Sequence, residues 1–409
     1  MYQLWRCTEK TGDIDCRGEN RQIAIHAKIA WHWQSIKLKL HIKGTSVKLL
    51  ADDYYLRQKR ISQQRNRPKK IQKGKPTNIT QQNSDDSIKI EAPAHIGLHN
   101  RDMHTQLAKF LSILRKESLR RKLIKIDFSK TTNVFSAGML LMLAEIDRIC
   151  LTLGEKCKLT CSYPKDETVE KVFQQIGFFN ILGKPHRLQI EEEDVTVNSW
   201  RYASGVSVNP QDADILLKAI KGKIPQGYLR LVTGVSEAMD NAVHHAYIRP
   251  REDRIGGSGL EKANDKRWWV FAQVHEGRLG VIFCDLGLGI PVTLPERWEE
   301  YIGDILRLTT LSPGKRDMKM IRRSLELGRT RTDQGHRGKG LARNVMKAAE
   351  ELRGKLQVYS NRGVVGVDFS SGSPRYTQGG NNRSILGTVI QWSVPITGAQ
   401  ELEDEHGPN

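Results

Sequence analysis

The chain has 409 residues, enough for two or three domains, with aliphatic content sufficient for real hydrophobic cores. It carries 65 Lys and Arg against 46 Asp and Glu, but residues 1–80 hold 18 basic and 6 acidic side chains, a balance of +12, and the other 329 residues contribute +7. No uncharged apolar run reaches the roughly eighteen residues that cross a bilayer, so a membrane span is not expected.

In chain order, Met1–Lys10 lacks the apolar core and small-residue cleavage site of a secretory signal. The six cysteines form no Cys-x-x-Cys pair and have no histidines at zinc spacing, so they read as reduced thiols of a cytoplasmic protein. Ile23–Ile29 and Ile36–Leu50 show some alternation, which suits a small strand pair. Arg57–Lys75 is dense in Lys, Arg and Gln with no apolar period, and reads as a disordered basic tether. Residues 1–85 are therefore expected to be basic and largely disordered. Such a run can hold phosphate backbones electrostatically, although it has no interleaved aromatics to stack bases.

From Ser87 the pattern becomes alternating α/β. Ile88–Glu91 reads as a strand and Met103–Leu119 as a helix with Leu107, Phe110, Leu111 and Leu114 on one face. Leu123–Phe128 is a strand. The most apolar stretch, Ala137–Leu151, contains Glu145, Asp147 and Arg148 and reads as a core helix running to about Leu153. Lys158–Ser162 is another strand and Glu167–Ile176 another helix. Residues 186–210 read as a connector, and Ala213–Ile220 as a short helix.

Leu231–Tyr247 follows, with Leu231, Val235, Ala238, Met239, Ala242 and Ala246 recurring at three- and four-residue steps, the mark of an amphipathic helix. Glu237, Asn241 and His245 are four apart and share one face. Arg249–Lys266 is a polar, Gly-rich loop. Trp268–Glu276 and Arg278–Cys284 form two strands turning at Glu276-Gly277, and the second runs into Asp285-Leu-Gly287-Leu-Gly289. Thr293–Gly335 is long, with helical pieces at Trp298–Leu308 and Met318–Leu327, and could serve as a lid. Gly335-His-Arg-Gly338-Lys339-Gly340-Leu341 then leads into a helix over Leu341–Leu352. Gly354–Ser360 and Ser384–Val394 are strands, and residues 399–409 are a polar tail.

These residues suit a nucleotide. A carboxylate and an amide on one helical face can poise a water and bind a metal through oxygen. A strand-terminal carboxylate such as Asp285 accepts from an exocyclic amine, and Gly287 and Gly289 allow a sharp turn and close backbone approach. Gly335, Gly338 and Gly340 expose N–H groups before a helix, whose N-terminus attracts phosphate, with Arg337 and Lys339 adding charge.

In order and spacing the three stretches resemble the N, G1 and G2 boxes of the GHKL ATPase superfamily, which includes histidine kinases, gyrase B, MutL and the anti-sigma-factor serine kinases. The resemblance implies ATP and Mg²⁺ as cofactors. It casts Glu237 as general base, Asn241 as Mg²⁺ ligand, His245 as a structural or phosphate-proximal residue, and Asp285 with Thr388 as the adenine contact. Gly287, Gly289, Gly335, Gly338, Lys339, Gly340 and Leu341 complete the implied nucleotide site. The last box departs from the usual spacing, because His336 stands where a glycine is expected, so the polyphosphate contact rests mostly on Gly338 and Gly340.

Residues 86–185 resemble a STAS (anti-sigma-factor-antagonist) domain through Ile124-Lys-Ile-Asp127, Phe135-Ser136-Ala137-Gly138 and Val172-Phe-Gln-Gln-Ile-Gly177-Phe. In that family the residue before the glycine is the phosphorylated Ser or Thr. Here it is Ala137, and Ser136 is expected to cap the helix instead. The expected architecture is α/β: a STAS-like domain (86–185), a connector (186–210), and a GHKL-type sandwich (211–398) built as a mixed sheet with helices on one face. The expected activity is that of an anti-sigma-type serine/threonine kinase or ATPase in bacterial signalling, with a protein partner or substrate. A two-component histidine kinase is disfavoured, since no dimerising helical hairpin with a phosphoacceptor His precedes the ATPase-like region. Two alternatives stay open: an ATP-gated switch, and a nucleotide sensor without phosphotransfer whose basic tail meets nucleic acid. A homodimer stays open as well.

Overall fold

The computed structural model describes residues 87–189, 201–207, 221, 223–224, 227–251, 253, 255, 266–297, 308, 310–326 and 344–396. The chain divides into two units, Met1–Thr77 and Asn78–Asn409, and every described residue belongs to the second. The expected N-terminal strand pair, the basic tether, the helix at 213–220, the glycine-rich loop at 335–341 and the C-terminal tail lie outside the described residues.

The described chain opens with β1 (Ser87–Glu91) and the short β2 (His95–Ile96). Helix α1 (Arg101–Ser118) is started by Asn100, whose side chain accepts from the Met103 N–H at 2.9 Å. Strands β3 (Leu123–Asp127) and β4 (Asn133–Val134) lead to α2 (Ser136–Leu153), then β5 (Lys158–Cys161), α3 (Glu167–Gln175) and α4 (Phe178–Ile181). The sheet order is β1-β3-β5, all parallel, and β2 pairs with β4 alongside. Phe128, Phe173, Phe178 and Phe179 pack together in mostly edge-to-face pairs, with centroids 4.8–6.1 Å apart. The N-cap of α2 is Phe135 rather than Ser136; Ser136 is the first helical residue, and its hydroxyl accepts from the Gln273 amide at 3.2 Å.

The remaining elements form an antiparallel sheet backed by helices. They are β6 (Arg201–Gly205), α5 (Tyr228–Asn241) with a π turn at Ala242–Ala246, β7 (Trp268–His275), β8 (Arg278–Asp285), α6 (Ile290–Arg297) and α7 (Pro313–Glu326). Then come α8 (Met346–Glu351), β9 (Lys355–Ser360), β10 (Gly363–Asp368), β11 (Arg375–Gly380) and β12 (Thr388–Pro395). The order is β11-β10-β9-β12-β8-β7-β6. The β7–β8 hairpin turns through Glu276 and Gly277, both with positive φ, the two-residue turn that matches strand twist.

Residue parity sorts this sheet into two cores. Trp268, Val270, Val281, Phe283, Ile390 and Trp392 face α5, α7 and α8. Trp269, Phe271, Ile282, Cys284 and Val389 face the other way and join the core of the N-terminal part. Helix α2 supplies the cover, packing on β7, β8 and β12. It is buried at every position from Ser136 to Ile146, as a helix wedged between two sheets must be.

Three expectations are corrected. The seven-stranded sheet is antiparallel at every pairing instead of mixed; the helices of its own region pack on one face, and α2 of the N-terminal part covers the other, where Trp269 and Phe271 of β7 are buried. The 186–210 connector contains β6, which joins β7 through backbone pairing that its Arg-Tyr-Ala-Ser-Gly sequence does not announce. Finally, α7 starts five residues earlier than its periodicity suggests, at Pro313, a residue preset for the first helical position. It packs on β10 and β11 with Met320, Ile321 and Leu325 buried, so this part of the expected lid is a fixed wall.

Candidate functional site

The site starts at the C-terminal end of β8. Asp285 is that strand's last residue and stands between Trp268 of β7 and Thr388 of β12 in register. It is 7% exposed, and burial pushes its pKa up to about 7. The Gly287 N–H donating at 3.0 Å, the Thr388 hydroxyl and the charge of Arg251 pull the other way without prevailing. The Thr388 hydroxyl also lies 3.0 Å from that of Ser360, a buried pair at the start of β12 and the end of β9.

The turn after Asp285 needs its glycines. A Cβ on Gly287 would sit 2.3 Å from the Ala246 carbonyl oxygen. Gly289 has φ +82, and a Cβ there would meet the Asn361 amide at 2.7 Å. Facing this turn is the end of α5, where the expected continuous helix to Tyr247 widens instead into a π turn. The Leu288 N–H takes the Ala246 carbonyl at 2.8 Å, and the Tyr247 hydroxyl donates to the Arg267 carbonyl while accepting from the Leu286 N–H at 2.9 Å. These ties hold the last turn of the helix against the strand end; π turns often mark such sites.

On α5, Asn241 donates from Nδ2 to Glu237 Oε1 at 2.9 Å and to the Glu237 carbonyl at 2.8 Å. Glu237 Oε2 accepts from Asn344 Nδ2 at 3.0 Å. Both carboxylate oxygens are thus held by amides, and the Asn241 amide is oriented with its nitrogen toward Glu237, making Oδ1 the atom for a cation. His244 pairs with Asp240 at 3.0 Å on the exposed side.

Between these elements opens a cleft. Asn241, His245, Asp285, Gly289 and Thr388, drawn from three separate stretches, all line it. Its walls are Ala238, Ala246, Phe283, Ile290, Leu294 and Ile390, with Thr293 and Ser324 as further polar edges. The lining is mostly apolar with one buried carboxyl, a composition suited to a heteroaromatic ring bearing an amine. Glu237 lies one turn back on α5, reached through Asn241, and Gly287 packs on Ala246 behind the lining. Gly335, Gly338, Lys339, Gly340 and Leu341 are outside the described residues.

No protein-family model matches the chain, and no curated protein matches it either. The chemistry therefore rests on the cleft itself. Among the described residues no group of three or more His, Cys, Asp or Glu could hold a metal ion. The donor set fits Mg²⁺ only as a shared ion, with Asn241 Oδ1 as one oxygen ligand and phosphates and water completing the shell.

Besides Thr293 of α6, three polar residues of the site were not anticipated. Asn344 sits in the segment before α8, Ser360 at the end of β9, and Ser324 on α7. Only Asn344 carried a usable signal, an amide where the flanking helix pattern, Val345, Met346 and Ala348, is apolar.

Proposed function

We propose that the chain is an ATP- and Mg²⁺-binding protein of the GHKL type, preceded by a STAS-like domain, and that it acts as a serine/threonine protein kinase or ATPase in the manner of the anti-sigma-factor kinases. The observation that carries this reading is the convergence of Asn241, His245, Asp285, Gly289 and Thr388 on one apolar cleft. Phe283 and Ile390, register partners side by side on adjacent strands, form one apolar wall for the base, and Asp285 in its ionised form accepts from the exocyclic amine. Gly289 keeps the backbone close to the ring. Asn241 Oδ1 orients the cation, which when bound neutralises charge on the phosphates. Glu237, held by Asn241 and Asn344, takes the proton of the attacking hydroxyl or water.

The acceptor hydroxyl comes from another protein. Ser136, the one hydroxyl beside the position where STAS domains are phosphorylated, is 6% exposed and bonded to Gln273 on the sheet face opposite the cleft. The test is ATP binding and turnover with Mg²⁺ in wild type, Glu237→Ala and Asn241→Ala. The kinase or ATPase reading requires turnover in wild type, lost in Glu237→Ala with binding retained. Binding without consumption in any form makes the protein a nucleotide-gated switch. Absence of binding refutes the nucleotide reading.

A further inference from the structure

The contact between the N-terminal α/β part and the cleft-bearing sheet contains a buried cluster of charge that the proposed chemistry does not use. Glu145 of α2 is fully buried. Its Oε1 accepts from Arg251 at 2.6 Å and its Oε2 from Arg115 at 2.7 Å. Asp253 accepts from Arg148 at 2.7 Å and also from Arg251. Three guanidinium groups thus share two carboxylates. Burying such a set rarely stabilises a fold more than apolar packing would, so its geometry is the informative part.

That geometry points at the cleft. Arg251 donates to the carbonyls of Leu286 at 3.1 Å and Leu386 at 2.8 Å, and Arg115 donates to that of Ile385 at 2.8 Å. Leu286 directly follows Asp285, and Ile385-Leu386-Gly387 directly precedes Thr388. Leu386 has φ +59 and Gly387 φ +141, a backbone path that a leucine adopts only when its surroundings impose it. A Cβ on Gly387 would lie 2.3 Å from the Asp285 carbonyl, so the two turns are pressed together with no slack. The arginines clamp both turns from behind, and Glu145 is the counter-charge that aims both arginines.

We propose that Glu145 is a positioning residue for the nucleotide site, acting through Arg251 and Arg115 to hold the turns that present Asp285 and Thr388. The N-terminal part is then a working component of the cleft. This inference rests on the nucleotide reading above.

The experiment uses the full chain and four variants. Glu145→Gln removes the charge, and Glu145→Asp keeps it. Arg251→Lys keeps charge but loses the fork, serving if Glu145→Gln does not fold. Asp147→Asn is the control, because Asp147 sits on the same helix in the same interface, bonded to Trp269 at 2.8 Å and not to the turns. ATP and GTP affinities with Mg²⁺, thermal unfolding and amide hydrogen exchange over 285–288 and 385–388 are measured. Glu145→Gln and Arg251→Lys should weaken ATP binding about tenfold, a usual size for coupling between sites. They should narrow the ATP-over-GTP ratio and speed exchange in both turns, with Glu145→Asp restoring much of each. Asp147→Asn should leave ATP affinity and exchange in both turns unmoved. If Glu145→Gln behaves like Asp147→Asn, with ATP affinity and exchange unmoved, the inference is overturned while the nucleotide reading stands. No ATP binding by wild type overturns both.

Discussion

Replacing Asp285 by asparagine exchanges a buried carboxyl for a neutral group of the same shape, and its effect can be worked from the titration. Burial raises Asp285 from its ordinary 3.8 to about 7 in the folded protein. In the unfolded chain it titrates near its ordinary value. Between those two pH values the folded state therefore keeps a proton that the unfolded state has released, and stability falls as pH rises. A rise of about three pH units at about 1.4 kcal/mol each corresponds to about 4 kcal/mol, absent below pH 4 and complete above pH 7. The amide variant has no such window, apart from a pH-independent offset for its own hydrogen bonds. Urea unfolding of the two unliganded proteins at several pH values from about 5 to 8 isolates the group, because other titrations cancel in the difference. The stability of Asp285→Asn relative to wild type should climb by roughly 1.4 kcal/mol per pH unit up to pH 7 and then level off. A difference that is the same at both ends of that range refutes the reasoning.

Other outcomes follow from single positions. Gly287→Ala forces a methyl group against the Ala246 carbonyl and should destabilise the protein by about 1–3 kcal/mol in urea unfolding, with weaker ATP binding alongside. Asn344→Ala frees one oxygen of Glu237 and should lower turnover about 10- to 100-fold with ATP affinity nearly unchanged, which single-turnover kinetics would separate. His104 is fully buried in α1, neither ring nitrogen has a hydrogen-bond partner among the described residues, and burial lowers its pKa to about 4. Because the unfolded chain takes up that proton near pH 6.5, wild type should lose up to about 3 kcal/mol as pH falls from 6.5 to 4. His104→Phe should not show that loss in acid unfolding.

Much of this was written locally. The apolar spacing of Leu107, Phe110, Leu111 and Leu114 marks α1, and the acid and glycines after Cys284 mark a strand end, because helix faces and turns are decided by neighbours in sequence. What escaped was decided by distant partners. Strand β10 carries Gly363 and Gly366, and β11 ends in two glycines, so neither looks like a strand until each pairs with the other and β10 with β9. Glu145 and Arg148 read as charges interrupting an apolar helix; the groups that make them a clamp, Arg251 and Asp253, lie about a hundred residues further on. The candidate site was legible as separate clusters of residue types. Their meeting depends on antiparallel register, which places Thr388 beside Asp285, and no local pattern encodes it.

That register also explains why the two faces of the sheet cannot act independently. On β8, Phe283 and Asp285 turn toward the cleft while Cys284 and Leu286 turn into the core shared with α2. The same alternation on β12 separates Thr388 and Ile390 from Val389. Each of these four cleft residues is thus bonded through one peptide to a residue packed in the core of the N-terminal part. A close-packed interior transmits displacement instead of absorbing it. A shift of α2 moves Cys284 and Val389, and with them the carboxyl and hydroxyl at the base of the cleft. The reverse holds by thermodynamic necessity: a ligand that draws Asp285 and Thr388 into one arrangement also tightens the seat of α2.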